Sequence, residues 1–366
     1  MHDVSDIPQT PAMVIDDAIV TRNLTRLADY ARANRIGIRP HTKTHKSVAM
    51  ARRQVAAGAI GLTAAKVGEA TDMTAASNDI LLAYPAIDAS RCERLALLAR
   101  THTVHVAVDS VEGLQALASA ARQAESRIGI LVDLDVGMHR TGQQSPAAAL
   151  ALAQAVTRET STLRLDGLFC YPGHVWAPAA EQAAPLGAVA ALLQETLDLW
   201  TRSGLSAGIV SAGSTPTAYQ SHLIPQLTEI RPGTYIYNDM NTAAAGFCSL
   251  DDCAATLVCT VVSNAVPGKV VIDAGTKTLT SDRNITQPDS GHGHLVDYPA
   301  AKLVRLSEEH GEVDVSRCDR VPKLGERVRV IPNHICPCVN LQDRVWLRAA
   351  DGSLRALTID TRGKLS

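Results

Sequence analysis

The sequence predicts an α/β protein, a (β/α)8 TIM barrel followed by a C-terminal antiparallel β domain. Eight short Val- and Ile-rich runs alternate with longer amphipathic stretches up to residue 232. Beyond about residue 245 helical spacing gives way to paired short runs separated by turn residues. The chain's 366 residues give room for about two domains at ~150 residues each.

In order, AMVID (12–16) reads as an initial strand and a helix follows near 20–34. The barrel strands are IGIR (36–39), AIGLT (59–63), DILLAY (79–84), TVHVAV (103–108), IGILVDL (128–134), LDGLFCY (165–171), GIVSA (208–212) and TEIRP (228–232). Stretches between them, such as SVEGLQALASAARQ, carry apolar residues at helical spacing with Ser or Asp placed to cap them. A doubly wound sheet would want a Gly-rich turn after its first strand, and TPAMVIDDAIV has none. In the last third, runs separated by PG, EHG and ADGS read as hairpins. The expected division is a barrel over 12–244 and a β domain over 245–366, joined by the N-terminal arm 1–11.

Composition narrows the partners. A net charge of −2 supplies no basic field for a phosphate backbone, and 3% aromatics leave few platforms for base stacking. Nucleic acid is therefore excluded as the main partner, and the core must be built from Ala, Val, Leu and Ile. The eight Cys follow no framework spacing, MHDVSDIPQTPAMVID has no leader pattern, and no run approaches the ~18 apolar residues of a membrane span. Free thiols in a cytoplasmic protein with no membrane partner are expected.

Barrel chemistry gathers at the carboxyl ends of the strands, and phosphate often sits after strands seven and eight. The first barrel strand ends in RPHTKTHK, which places Lys43 just past it as a candidate amine nucleophile; Lys46 is the competing lysine. The loops SAGSTPTA (211–218), with a helix expected to start at Pro216, and RPGTYIYND (231–239) offer hydroxyls and free backbone N–H groups for a phosphate. A lysine able to bind a carbonyl and two phosphate-suited loops together fit pyridoxal phosphate. Arg140 could donate to the cofactor's phenolate oxygen, Tyr171 could approach its ring, and His174 could act as a base. In PNHICPCVN, an extended segment would place His334 and Cys336 on one face, an imidazole and a thiolate suited to Zn²⁺. Cys338 is a third candidate ligand, which Pro337 would turn away.

The motifs RPHTKTHK, KVGEA, DLDVGMHRTG, YPGH, SAGSTPT, RPGTYIYND, VIDAGTKTL, LSEEHG and PNHICP, in that order, resemble the D-threonine aldolase and D-serine dehydratase family. That family is a branch of the alanine-racemase-like, fold type III enzymes. The resemblance implies a homodimer with the active site near the junction of barrel and β domain, and a small D-amino acid as substrate. It implies that Lys43 holds pyridoxal phosphate covalently, that Arg140 faces its phenolic oxygen and that Tyr171 lies beside the ring. Ser214, Thr215, Gly233, Thr234 and Tyr235 would surround the phosphate. His334 and Cys336 would bind a divalent metal, Zn or Mn, that grips the substrate's 3-hydroxyl.

The implied activity is a metal-assisted lyase of D-3-hydroxy amino acids, leaning to retro-aldol cleavage of D-threonine into glycine and acetaldehyde. Elimination from D-serine or D-3-hydroxyaspartate, giving a 2-keto acid and ammonia, is the alternative. Aldolases of the family resemble His-x-Asp where its dehydratases resemble His-x-Cys, and cysteine stands here. An amino-acid racemase is a more remote alternative, needing no metal but a second base. A protein that only buffers the cofactor would resemble the barrel alone.

Overall fold

The computed structural model describes Val4 and Asp6–Ser366, which form two compact units. The first unit, residues 25–43, 48–233 and 364–366, is the barrel. Strand β1 (Ala12–Asp16) and most of the first half of helix α1 (Asp17–Asn34) precede it. The barrel strands are β2 (Gly37–Ile38), β3 (Leu62–Ala64), β4 (Asp79–Leu82), β5 (Thr103–Val108), β6 (Ile128–Asp133), β7 (Leu163–Phe169), β8 (Ile209–Ala212) and β9 (Glu229–Ile230). All pair in parallel, in the order β2-β9-β8-β7-β6-β5-β4-β3, and a parallel bridge between His41 and Thr63 joins the two ends. Each run read from the sequence is therefore a strand of one closing sheet. β2 and β9 are the shortest, with Pro40 and Pro232 following closely; proline lacks the N–H a ladder needs.

Between the strands lie α2 (Val48–Ala56), α3 (Val67–Met73), α4 (Ala89–Leu98), α5 (Val111–Gln123), α6 (Pro146–Val156) and α7 (Ala183–Arg202). The side chains of Asp88, Ser110 and Ser145 accept from Arg91, Gly113 and Ala148 N–H groups, capping α4, α5 and α6. Between β8 and β9 the helix expected at Pro216 is instead a 3₁₀ segment, Ala218–Leu223. Ser214 and Thr217 bond to each other across the preceding turn, offering the backbone an alternative to a helical start.

Inside the barrel Leu81, Ala107, Leu131 and Phe169 form one apolar layer. Two or three residues before three of these, Asp79, His105 and Asp166 belong to a charged network toward the strands' amino ends. Arg39 donates to Glu229 at 2.9 Å and to Asp79. His105 places Nδ1 2.6 Å from Asp166 and Nε2 3.2 Å from Asp79, while Arg164 donates to Asp166 at 2.5 Å. Burial works against charge at His105, but its bonds to Asp166 and Asp79 outweigh it and raise the imidazole pKa. Burial likewise opposes ionisation of Asp79 and Asp166, yet bonds from His105 and the arginines hold both carboxyls low.

The second unit takes in residues up to Leu24, 44–47 and 234–363. Its strands are β10 (Ala255–Ser263), β11 (Lys269–Ile272), β12 (Gly293–Leu295), β13 (Lys302–Leu306), β14 (Gly311–Asp314), β15 (Arg327–Pro332), β16 (Arg344–Arg348) and β17 (Leu354–Thr358). The hairpins read at PG, EHG and ADGS are β10/β11, β13/β14 and β16/β17. β1 is a strand of this sheet, antiparallel to β10 and parallel to β16. Ile7, Ala12, Val14 and Val258 form its apolar cluster, and Arg327 donates to the carbonyls of Val4 and Ile7 in the N-terminal arm. Residues 1–3 and 5 of that arm lie outside the described residues. Three short helices, α8 (Met240–Ala244), α9 (Thr276–Leu279) and α10 (Ile335–Asn340), interrupt the strands. Among the described residues no helix is long and apolar enough to cross a membrane.

Candidate active site

In the barrel unit, Lys43 is exposed just beyond the bridge that joins β2 to β3, and its backbone N–H reaches His41 Nδ1 at 3.4 Å. Lys46 is buried, and its Nζ donates to the Thr361 carbonyl at 3.4 Å. Of the two lysines, Lys43 is the one with an accessible amine.

The loops after β6 and β7 bring three expected side chains together. Arg140 stands 4.9 Å above the Tyr171 ring, a cation–π contact. That ring folds back over Gly173, where a Cβ would lie 2.1 Å from it. His174 is exposed and rests on Gly137, whose φ is +116° and whose Cβ would meet the imidazole at 3.0 Å. The Gly137 turn is held by Asp135, which accepts the N–H groups of Gly137 and His139 at 3.0 Å. Burial opposes its ionisation, but those bonds and the His139 side chain outweigh it and pull its pKa to about 2. Asp133, at the end of β6, is pushed up to about 6 by burial, against a bond from Thr141.

Ser214 is buried after β8, with its hydroxyl 3.1 Å from Thr217 Oγ1, and Thr215 beside it is half-buried. The loop after β9 places buried Gly233 at the end of the barrel unit, and the chain continues into Thr234 and Tyr235 of the second unit. Thr234 opens a 3₁₀ turn whose carbonyl accepts from Tyr237 and Asn238 N–H, and Tyr235 is buried.

These groups suit a ring-bearing anionic cofactor: an accessible amine, a guanidinium stacked on an aromatic ring seated where a Cβ would collide, and hydroxyl-bearing loops after the last two strands. Pyridoxal phosphate has the matching aldehyde, ring and phosphate.

In the second unit, β15 ends at Pro332 and α10 begins at Ile335, so the segment expected to be extended is a helix start with His334 as its N-cap. Pro337 fits a first helical turn, where its missing N–H costs nothing. His334 and Cys336 are nevertheless in contact, since a cap and the second helical residue both project at the helix's amino end. Burial lowers the His334 pKa, but the bond to Cys336, the charges of Cys336 and Asp239 and the bond to Asp282 raise it to about 9. His334 Nδ1 lies 2.8 Å from Asp282 Oδ2, which leaves Nε2 for a metal. Cys336 Sγ is 3.2 Å from Thr44 Oγ1 and 3.7 Å from Thr234 Oγ1. Cys338 is buried, bonded to the Leu279 carbonyl at 3.2 Å, and burial drives its pKa far up.

Among the described residues, no group of three or more His, Cys, Asp or Glu is gathered as a metal site. An imidazole and a thiol in contact, backed by a carboxylate, fit a metal held by two protein ligands.

Sequence reasoning missed Asp282, Asp239, Thr44 and Arg231. Asp239 caps α8 and also accepts the Ile335 N–H at 3.1 Å, tying that helix to the His334 turn. Arg231 is buried at the end of β9, 3.8 Å above the Phe169 ring, and donates to Ser211 Oγ and the Cys170 carbonyl. Arg231 and Asp239 stand in the RPGTYIYND loop and Thr44 in RPHTKTHK, but none carries a local mark of its partner, and Asp282 carries no local signal at all.

Residues 15–241 match the alanine racemase N-terminal domain family, and residues 254–347 match a serine dehydratase domain. The D-threo-3-hydroxyaspartate dehydratase of Delftia sp. (strain HT23) is 32% identical over 97% of this chain and 98% of its own. The D-threonine aldolase of Arthrobacter sp. is 31% identical over 91% of this chain and 87% of its own. The crystal structure of D-threonine aldolase from Filomicrobium marinum superposes with a TM-score of 0.90 at 29% identity, covering 98% of this chain and 97% of that one. Eight parallel strands, a lysine past the first of them and a second unit bearing His-x-Cys are thus combined in a chain that belongs to the D-threonine aldolase and D-serine dehydratase family of alanine-racemase-like pyridoxal phosphate enzymes.

Proposed function

We propose that the protein is a pyridoxal phosphate- and divalent metal-dependent lyase of D-3-hydroxy amino acids. The observation that carries the reading is the pairing, in one chain, of an accessible Lys43 at the barrel's carboxyl end with a contacting His334 and Cys336. The barrel unit, 25–43 and 48–233, would carry the cofactor's lysine, and the second unit, which includes 234–363, the metal. Lys43 would anchor the cofactor, Arg140 and Tyr171 would flank its ring, and Ser214, Thr215, Gly233, Thr234 and Tyr235 would hold its phosphate. Bound there, the cofactor supplies an electron sink for a bond breaking at the substrate's Cα.

The chain's residues choose the bond. His334 and Cys336 would hold one Zn²⁺ or Mn²⁺ ion, which would supply a Lewis acid for the substrate's 3-hydroxyl. In retro-aldol cleavage, His174 receives the 3-hydroxyl proton on its imidazole; in elimination, Lys43 Nζ holds the proton taken from Cα. Near-equal similarity to an aldolase supports the first reading. The second is favoured by Cys336: a D-threo-3-hydroxyaspartate dehydratase has been crystallised as a histidine-to-alanine variant and, metal-free, as a cysteine-to-alanine variant, and the two altered residues stand two apart there as His334 and Cys336 do here. A cytoplasmic homodimer is the proposed form, the compartment being one in which cysteines without disulfides are usual.

Incubating the protein, supplied with pyridoxal phosphate and Zn²⁺ or Mn²⁺, with D-threonine, D-serine and D-3-hydroxyaspartate tests the proposal. Aldehyde and 2-keto acid are assayed separately. Aldehyde with glycine establishes the aldolase reading, and keto acid with ammonia establishes the dehydratase reading. Neither product from any of the three substrates overturns the lyase.

A further inference from the structure

We propose that Asp282 is a positioning residue for the metal pair, fixing the tautomer and orientation of His334 so that Nε2 faces the ion; this rests on the metal reading given above. Its carboxylate Oδ2 lies 2.8 Å from His334 Nδ1. With Nδ1–H committed to that oxygen, Nε2 is the nitrogen left to present a lone pair to the ion. A carboxylate behind a ligating imidazole also makes the imidazole a better donor.

Stability does not explain the pair. Both side chains are about two-fifths exposed, 41% and 43%, and an ion pair so placed contributes little to folding. The surrounding loop is nevertheless fastened at several points. Asn333, next to His334, donates to the carbonyls of Asp282 at 3.0 Å and Gly291 at 2.9 Å, so the two partners' backbones are tied together. Asn284 donates to the Met240 carbonyl, and Ile285 N–H bonds to Asn241, which fastens the loop to α8. The Cys338 thiol holds the Leu279 carbonyl on the other side. Between these anchors Thr280, a β-branched residue, adopts φ 60° and ψ 174°, a conformation that persists only where surrounding bonds impose it. Strain and anchoring spent on a half-exposed carboxylate point to its aim at His334, not to its contribution to the fold.

The test measures Zn²⁺ affinity of the full-length protein by competition with a chromophoric chelator, together with the absorption of the Co²⁺-loaded form. Asp282→Asn is expected to weaken Zn²⁺ binding by about 10- to 100-fold, to shift the cobalt ligand-field bands and to retain the thiolate band from Cys336. Asp282→Glu, which keeps the carboxylate, should fall nearer the wild type. The melting temperature of the metal-free protein should stay within about 2 °C in both variants. Zn²⁺ affinity unchanged in Asp282→Asn overturns the inference, and so does a matching loss of metal-free stability, which would make the role structural. His334→Ala separates the two claims: if it binds Zn²⁺ as tightly as wild type, the metal reading itself fails, whereas loss of binding there with Asp282→Asn unaffected sinks the role of Asp282 alone.

Discussion

Within the barrel, the amino ends of the strands and their carboxyl ends treat charge in opposite ways. Toward the amino ends Arg39, His105, Asp166 and Glu229, all buried, meet half-buried Arg164 and Asp79 in a network where each charge has an opposite partner. At the carboxyl ends Lys43, Arg140 and His174 are exposed, and among the described residues no carboxylate pairs with them within 4.0 Å. A buried charge left alone is costly, so the first set must neutralise itself to exist. Lys43 and Arg140, with no carboxylate partner among the described residues, can meet an anion from outside, which is what a phosphate- and carboxylate-bearing ligand requires. Buried Arg231 and Asp133 apart, the exposed basic side chains at the carboxyl ends face outward, where barrel chemistry gathers, while the amino-end charges satisfy one another.

Substitutions at the two ends should therefore separate activity from stability. The largest effect is expected from Lys43→Ala, with turnover reduced by about 10³-fold or more and the absorption near ~420 nm lost. Its urea midpoint should match the wild type; turnover retained in this variant would remove the distinction at the carboxyl end. Asp166→Ala leaves His105 and Arg164 without their shared carboxylate, and should cost about 3–5 kcal/mol in urea denaturation. Turnover per folded molecule should be unchanged, and a cost below about 1 kcal/mol would mean that the network does not stabilise the barrel.

Gly137→Ala is a milder probe of the carboxyl end. The new Cβ would press on His174 and force a backbone at φ +116° that side chains resist, and a fall of about 10-fold in kcat/KM with ~1 kcal/mol of stability lost is expected. An unchanged kcat/KM would remove His174 from the reaction.

The smallest effect concerns pH. The His105 pKa is raised in the fold, burial being outweighed by Asp166 and Asp79, so its contribution is complete below the unfolded value of about 6.5 and fades as pH rises through the folded value. Asp79 and Asp166 are held low, burial again being outweighed; their contribution is present above about pH 3.9 and is lost as pH falls through the folded values. Stability should therefore be greatest between about pH 4 and 6.5. Thermal melts should show a gentle alkaline decline in the wild type and a flatter one in His105→Asn; identical slopes would take His105 out of the network's balance.

Legibility in the sequence followed the range of the interactions. Strand count, strand order along the chain and the three hairpins depend on alternation and turn chemistry within a few residues, and they were readable. Lys43, Arg140 and His174 could be singled out because each follows a recognisable strand. The helix expected at Pro216 is a 3₁₀ segment and the His334 segment is a helix start, because side-chain bonds and a proline redirect short local patterns.

A barrel, a β domain and a lysine past the first barrel strand follow from the order of residues alone, because periodicity and strand ends are local properties. Long-range packing sets the pairing of β1 with β10 and β16, the charges on the amino-terminal side of the barrel, and the contacts of Asp282 with a histidine 52 residues away and of Thr44 with Cys336 across 292. Such partners are chosen by the packed fold, since a carboxylate far along the chain carries no mark of the imidazole it will face.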